Sequence, residues 1–248
     1  MNNFSKAFTD KKALIATVPG GFPELETTEK LILEIDKAGA DIILLTIPFS
    51  DPIAEDQILQ DADELAIKNG CTVEKLFDLV ERVVPKIDAN IVFMTYMNPV
   101  FAYGTAHFMK KSQTSGISGI IILDLPFEEK SEVLKDCQEF DIALISMIAS
   151  TDNNRANMIV QEADGFLYCL GGEINSTIIT SIKTAEDYNN IPCVIEIDNT
   201  KSVDKNLLET ADGFIIGGTI TKLLASGARD FSPIIQLVKQ TRCQLNSC

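Results

Sequence analysis

Ala40-Asp41-Ile42-Ile43-Leu44-Leu45-Thr46-Ile47-Pro48-Phe49-Ser50-Asp51-Pro52 carries the chain from scaffold to surface. Its first half is an apolar run of strand length, preceded by Gly39, a residue that ends helices. The run is continuous rather than alternating, which is the pattern of a strand covered on both faces, as in parallel sheets. Pro48 has no N–H to give a sheet ladder, so the strand is expected to stop there. Asp51-Pro52 favours a turn, and Asp51, Glu55 and Asp56 load the segment before the next helix with acids. A buried strand that ends in a charged loop is how a parallel barrel builds its working face.

Working outward from this stretch, apolar strand candidates alternate with helix candidates eight times. The strands are expected at Ala13–Val18, Ile42–Ile47, Asn90–Thr95, Gly119–Leu123, Ile142–Met147, Phe166–Leu170, Cys193–Ile197 and Phe214–Ile216. Between the first two, Leu31, Ile32, Ile35 and Ala38 share a helical face that stops at Gly39. The second unit carries two helices. One spans Gln57–Asn69 with the stripe Ile58, Leu59, Ala62, Leu65 and Ala66; the other runs from an N-cap at Thr72 to Lys86. Tyr96-Met97-Asn98-Pro99 is expected as a loop before a helix ending near Gly116. Further helices are expected over Glu128–Phe140, from Thr151-Asp152 to near Ala163, over Val203–Thr210, and from Gly217-Gly218-Thr219 to about Ser226. Ser232-Pro233 reads as the N-cap and N1 pair of a closing helix to about Cys243. The segment Gly171-Gly172-Glu173-Ile174-Asn175-Ser176-Thr177 reads as a long polar loop. Ala163-Asp164-Gly165-Phe166 and Ala211-Asp212-Gly213-Phe214 repeat one turn ahead of two different strands, each leading to a double glycine. The pattern predicts an α/β fold, a (β/α)8 barrel with an extra helix after strand 2, as one domain over residues 1–248. A doubly wound open sheet is the alternative.

Composition narrows the function classes. The chain has 248 residues, 46% hydrophobic and 23% charged, with a formal net charge of −15. That charge argues against nucleic acid, whose phosphates require Lys/Arg patches, and against an anionic membrane surface. It leaves room for a small anionic ligand, because backbone amides at a helix N-terminus act locally. Six cysteines without a paired motif and the single His107 form no metal-ligand pattern, and free thiols fit a reducing compartment. Neither a signal-peptide pattern nor an apolar run of spanning length is present in the sequence, so a cytoplasmic location is expected.

The motif Ile47-Pro48-Phe49-Ser50-Asp51-Pro52-Ile53-Ala54, with Gly39-Ala40-Asp41 before it, resembles the signature of the tryptophan synthase alpha subunit family. Met94-Thr95-Tyr96-Met97-Asn98-Pro99-Val100-Phe101, Asp124-Leu125-Pro126-Phe127-Glu128-Glu129, Gly165-Phe166-Leu167-Tyr168 and Gly213-Phe214-Ile215-Ile216-Gly217 match in order. The resemblance implies a TIM barrel that cleaves indole-3-glycerol phosphate to indole and glyceraldehyde 3-phosphate in tryptophan biosynthesis. It also implies a beta-subunit partner that holds pyridoxal phosphate, with no cofactor in this chain. The small-molecule ligand would sit at the C-terminal face of the barrel.

The family's chemistry uses two carboxylates, and this sequence departs at both. Where the family has a proton-shuttling Glu late in strand 2, this chain has Leu44. Where it has an Asp in the following loop, this chain has Glu55. The family's phosphate site departs as well. Ile174-Asn175-Ser176-Thr177 stands for Gly-Val-Thr-Gly, and Ile195-Glu196-Ile197, followed by Asp198, stands for Gly-Phe-Gly. Gly217-Gly218 alone is retained, either as a phosphate cradle or as a tight strand–helix turn. Tyr96 and Tyr168 are candidate pocket residues, Tyr168 also reading as a packed strand tyrosine. Glu196, sharing a strand face with Val194, is a candidate replacement acid or cation anchor, or else a polar strand end. Pro48, Asp51, Pro52, Asn98 and Pro126 match loops that in the family face the beta subunit, and His107 reads as a surface residue. The expected function is therefore an alpha-chain-like barrel with reduced or lost lyase activity. The alternatives are a non-catalytic regulatory partner of a beta subunit, and a lyase or isomerase for a different ligand.

Overall fold

The computed structural model describes residues 4–53, 56–148, 153–170, 176–184, 190–197, 205–227 and 230–246. Its strands are β1 (Ala13–Pro19), β2 (Ile42–Thr46), β3 (Asn90–Thr95), β4 (Ile117–Ile122), β5 (Ala143–Leu144), β6 (Ser146–Ile148), β7 (Leu167–Cys169), β8 (Cys193–Glu196) and β9 (Gly213–Ile216). They form one sheet in the order β5-β4-β3-β2-β1-β9-β8-β7-β6, and every recorded pairing is parallel. β5 and β6 are one barrel strand interrupted at Ile145. The lower piece pairs with β4, the upper piece with β7, and the Ile145 N–H donates to the Ile120 carbonyl at 2.9 Å. The ring therefore closes through this strand. That excludes the doubly wound sheet, which would leave two free edges.

Strand alternation divides the core into two layers. Leu14, Ala16, Val18, Ile43 and Leu45 point outward and pack against the helices. Ala13, Ile15, Ile42, Leu44, Val92, Ile121, Phe166, Tyr168, Val194 and Ile215 fill the barrel's interior. Both sets are buried, which is why the strands read as continuous apolar runs. The lower end of the interior is stoppered by a short helix, α1 (Ser5–Phe8). Phe4, just ahead of it, meets Phe166 edge-on with ring centroids 5.4 Å apart. The sequence reading did not anticipate this helix, since four residues carry no period.

The helical layer follows the apolar stripes. α2 (Leu25–Ala38) buries Leu31, Ile32, Ile35 and Ala38, and ends on Gly39 at φ 105°, a conformation a side chain disfavours. The extra pair in unit two is α3 (Gln57–Lys68) and α4 (Val73–Val83). Asp56 caps α3, accepting from the Ile58 and Leu59 N–H groups, and Thr72 caps α4, accepting from Lys75 N–H. The stripe of α3 differs from expectation: Leu65 is exposed, whereas Asp63 is buried between Ala62 and Ala66. Tyr96-Met97-Asn98-Pro99 is not a loop. α5 (Met97–Tyr103) begins inside it, and Pro99 is tolerated because first-turn N–H groups have no intrahelical partner. α6 (Thr105–Ser115), α7 (Ser131–Glu139), α8 (Asn153–Gln161), α9 (Ser176–Lys183), α10 (Lys205–Thr210), α11 (Gly218–Ala225) and α12 (Ser232–Asn246) complete the layer. α9 takes up Ser176 and Thr177, read from sequence as loop. Ser232 is already helical rather than a cap, and its N–H donates to Asp230 at 3.1 Å. No described helix is long and apolar enough to cross a membrane. Cys71, Cys137, Cys169, Cys193 and Cys243 are free thiols.

Two aspartates hold neighbouring strands at the lower rim. Asp41, opening β2, accepts the Leu14 N–H of β1 at 2.8 Å and pairs with Lys11 and with Arg242 of α12. Arg242 also donates to the carbonyls of Gly39 and Lys12. Asp212, opening β9, accepts the Cys193 N–H of β8 at 2.8 Å and pairs with Lys183 at 2.6 Å. Removing one partner of a mostly buried ion pair leaves the other uncompensated. Asp41→Ala should therefore lower unfolding free energy by about 3 kcal/mol in urea denaturation. Asp88→Ala, whose carboxylate meets only exposed Lys6 among the described residues, should leave the midpoint nearly unchanged.

Candidate functional site

The upper rim of the barrel is where β2, β3, β7, β8 and β9 deliver the residues singled out from sequence. Leu44 lies on the inner face of β2, with no solvent exposure, between Thr17 of β1 and Val92 of β3 in register. It is an apolar member of the interior layer and offers no proton. Glu55 and Asp198 lie outside the described residues, as does Gly171-Gly172.

Tyr168, Glu196, Gly217 and Thr17 come together across β7, β8, β9 and β1. Tyr168 is 5% exposed, and its hydroxyl donates to Glu196 Oε2 at 3.0 Å. Val194 belongs to the interior cluster, so Glu196, two residues later, ends β8 on the same face, and its side chain is exposed at the mouth. A methyl group built on Gly217 would lie 2.9 Å from Thr17 Oγ1 and 3.4 Å from Glu196 Oε1. Both oxygens therefore converge on the bare Cα of Gly217, which caps α11. Gly218, the first residue of that helix, has open space beside it. Among the described residues, Thr17 is 7% exposed and its hydroxyl makes no hydrogen bond. Sequence reasoning missed Thr17, because one threonine in a strand is not a signal until its neighbours across the sheet are known.

Above Leu44, the motif loop is held from two sides. The Phe49 N–H donates to the buried Asp63 carboxylate at 2.9 Å, and the Phe49 ring packs on Tyr96 with centroids 5.2 Å apart. Tyr96 is 1% exposed and lies beneath the loop. The Met97 N–H donates to Asp124 at 2.7 Å, tying the loop after β3 to the one after β4. Gly20 approaches β2 so closely that a Cβ would meet the Thr46 carbonyl at 2.1 Å, so only glycine fits there. Asp63 was also missed; an acid inside an apolar stripe is its only sequence trace.

The residues expected at a partner face lie on this rim. Asp51, Asn98 and Pro126 are exposed and Pro48 and Pro52 partly so. Two large apolar side chains stand beside them in sequence, Ile53 at 81% and Phe101 at 72% exposure. His107 is exposed and stacks on Tyr103. Among the described residues no His/Cys/Asp/Glu cluster could hold a metal ion. A cavity of about 340 Å³ lies beside the interruption at Ile145. Leu123, Met147 and Leu170 line it, and all three also pack against the barrel's interior.

Burial, and then the Glu196 charge and hydrogen bond, raise Tyr168 well above the ordinary tyrosine value of 10.0. Burial, and then Glu74, push Tyr103 up to about 12. The unfolded chain therefore loses these protons first, so stability should fall as pH rises above 10 and be unaffected by either group below it. Tyr168→Phe and Tyr103→Phe should each flatten the alkaline limb of a stability–pH curve, and tyrosinate absorbance should develop later than in free tyrosine.

The sequence model of the family described as tryptophan synthase alpha chain matches residues 4–246. The tryptophan synthase alpha chain of Alkaliphilus metalliredigens is 40% identical over 240 residues, covering 93% of this chain and 90% of the relative. That of Thermoanaerobacter sp. is 34% identical, covering 96% of each. Among solved structures, tryptophan synthase subunit alpha from Campylobacter jejuni superposes with a TM-score of 0.83 at 30% identity, covering 96% of this chain and 98% of that one. The subunit from Legionella pneumophila gives 0.87 at 25% identity over the full length of both. On sequence and architecture together, this chain belongs to the tryptophan synthase alpha chain family.

Proposed function

We propose that this chain is the alpha-type partner of a tryptophan synthase beta subunit in the cytoplasm, with cleavage of indole-3-glycerol phosphate lost or strongly reduced. The observation that carries this reading is Leu44, wholly buried in the barrel's interior layer where the family places its proton-shuttling glutamate. General acid–base help is worth about 10²–10⁴-fold, and it requires a titratable group within hydrogen-bond reach. Glu55, at the family's Asp position, keeps a carboxylate for the indole nitrogen but lacks the second group with which it would act. Glu196 adds a further obstacle. Its carboxylate stands beside Gly217, at the one retained piece of the phosphate cradle, where like charges at short range repel.

The partner face is the part of the family's equipment this chain keeps. Pro48, Asp51, Pro52, Asn98 and Pro126 rim the barrel mouth, and exposed Ile53 and Phe101 supply the apolar anchors that interface cores use. Pyridoxal phosphate belongs to the beta subunit in this reading, and this chain contributes none of its ligands.

Indole release from indole-3-glycerol phosphate by the purified chain should be at least about 100-fold slower than by an alpha chain with the glutamate; a comparable rate would overturn the loss of chemistry. Co-expression with the beta subunit of the same genome should yield a complex and a changed serine-to-tryptophan rate. Phe101→Asp and Ile53→Asp should each weaken that complex about tenfold or more. Failure of the two wild-type chains to associate would remove the partner assignment.

A further inference from the structure

We infer that the barrel mouth is built for a small ligand with an apolar body and a cationic amine head, held by Glu196 with Thr17 as second acceptor, and not for a phosphate ester. The inference rests on the altered pocket described above and names the class of ligand that fits it. Three independent features converge. Among the described residues, Glu196 makes a single side-chain bond, from the nearly buried Tyr168 hydroxyl to Oε2. That bond fixes the carboxylate and leaves Oε1 turned toward Gly217. The Thr17 hydroxyl, on a residue 7% exposed and without a partner among the described residues, faces the same bare Cα. An open hydroxyl oxygen beside a fixed carboxylate offers two acceptors to one ligand group. An ammonium carries three donors and no acceptor, and so matches a niche made of a carboxylate and a hydroxyl oxygen.

The apolar body has a place to lie. Tyr168 is in register with Met147 on one side and Val194 on the other, so Val194 and Met147 stand about two strand spacings, roughly 10 Å, apart, with Glu196 two residues further up β8 toward the mouth. Met147, Leu123 and Leu170 line the cavity beside the Ile145 interruption and also pack on the interior layer. The two cations of that cavity are already engaged, Lys130 with Glu162 and Arg155 with Glu128, so neither is a free counter-ion for a phosphate. A net charge of −15 raises the local concentration of cations over anions around the whole molecule.

Isothermal titration calorimetry with tryptamine and indole-3-propanoate, which share an aromatic body and differ in the sign of the head, tests this. The wild-type chain should bind tryptamine about tenfold or more tightly than indole-3-propanoate. Glu196→Gln keeps an acceptor for Tyr168 and removes the charge, so it should lower tryptamine affinity about tenfold and close the gap between the two probes. Glu196→Asp should recover part of the loss, and Thr17→Val should weaken tryptamine without reversing the preference. Equal binding of both probes, tighter binding of indole-3-propanoate, or no heat with tryptamine would overturn the inference on wild-type protein alone. Unchanged tryptamine affinity in a folded Glu196→Gln variant would do the same. Indole release is a separate readout. A high lyase rate contradicts the loss of chemistry, whereas calorimetry decides the charge preference.

Discussion

A closed ring of parallel strands leaves no edge for water to reach and no void that water can fill cheaply, so the interior has to be packed from the strands themselves. Here that demand is met by alternating residues from every strand and by a stopper at the lower end, Phe4 against Phe166. Once the lower part of the barrel's interior is solid, inward-facing polar groups can be presented only at the upper rim. The site is therefore confined to the last inward-facing residue of each strand and to the loops that follow.

Within that confinement, a one-residue change has a large chemical effect. Leu44 completes the apolar layer directly beneath the mouth, where a carboxylate would have to be held against desolvation by its neighbours. Glu196 does the reverse: it sets a charge where the strands end, close enough to the rim to stay hydrated and tied by the Tyr168 hydroxyl. Position 44 is hydrophobic while the mouth beside Gly217 is acidic. Both residues face away from the outer layer, so neither disturbs the packing of the helices on the strands.

Much of the architecture was legible because both core layers leave marks in sequence. The expected strands fall within a few residues of those observed, and Gly39, Thr72 and the apolar stripe of α2 stand where their local physics places them. The misses share a cause. α1 is too short to show a period, and α5 hides behind a Pro that its first turn accepts. The exchange of Leu65 for Asp63 in α3 turns on a backbone N–H that exists only after the Phe49 loop is folded. For the site, sequence identified Glu196 and Tyr168 singly. Their hydrogen bond, and Thr17 facing them, depend on strands far apart in the chain becoming neighbours around a ring.

Arg242 ties the end of α2, the residue ahead of β1 and the opening of β2 into one knot from a position 230 residues beyond Lys12. Closing so long a loop is entropically expensive, and the tie cannot form during synthesis until α12 has left the ribosome. The earliest strands of the nascent chain must wait in a partly assembled barrel, held by local pairing, until this late arginine locks them.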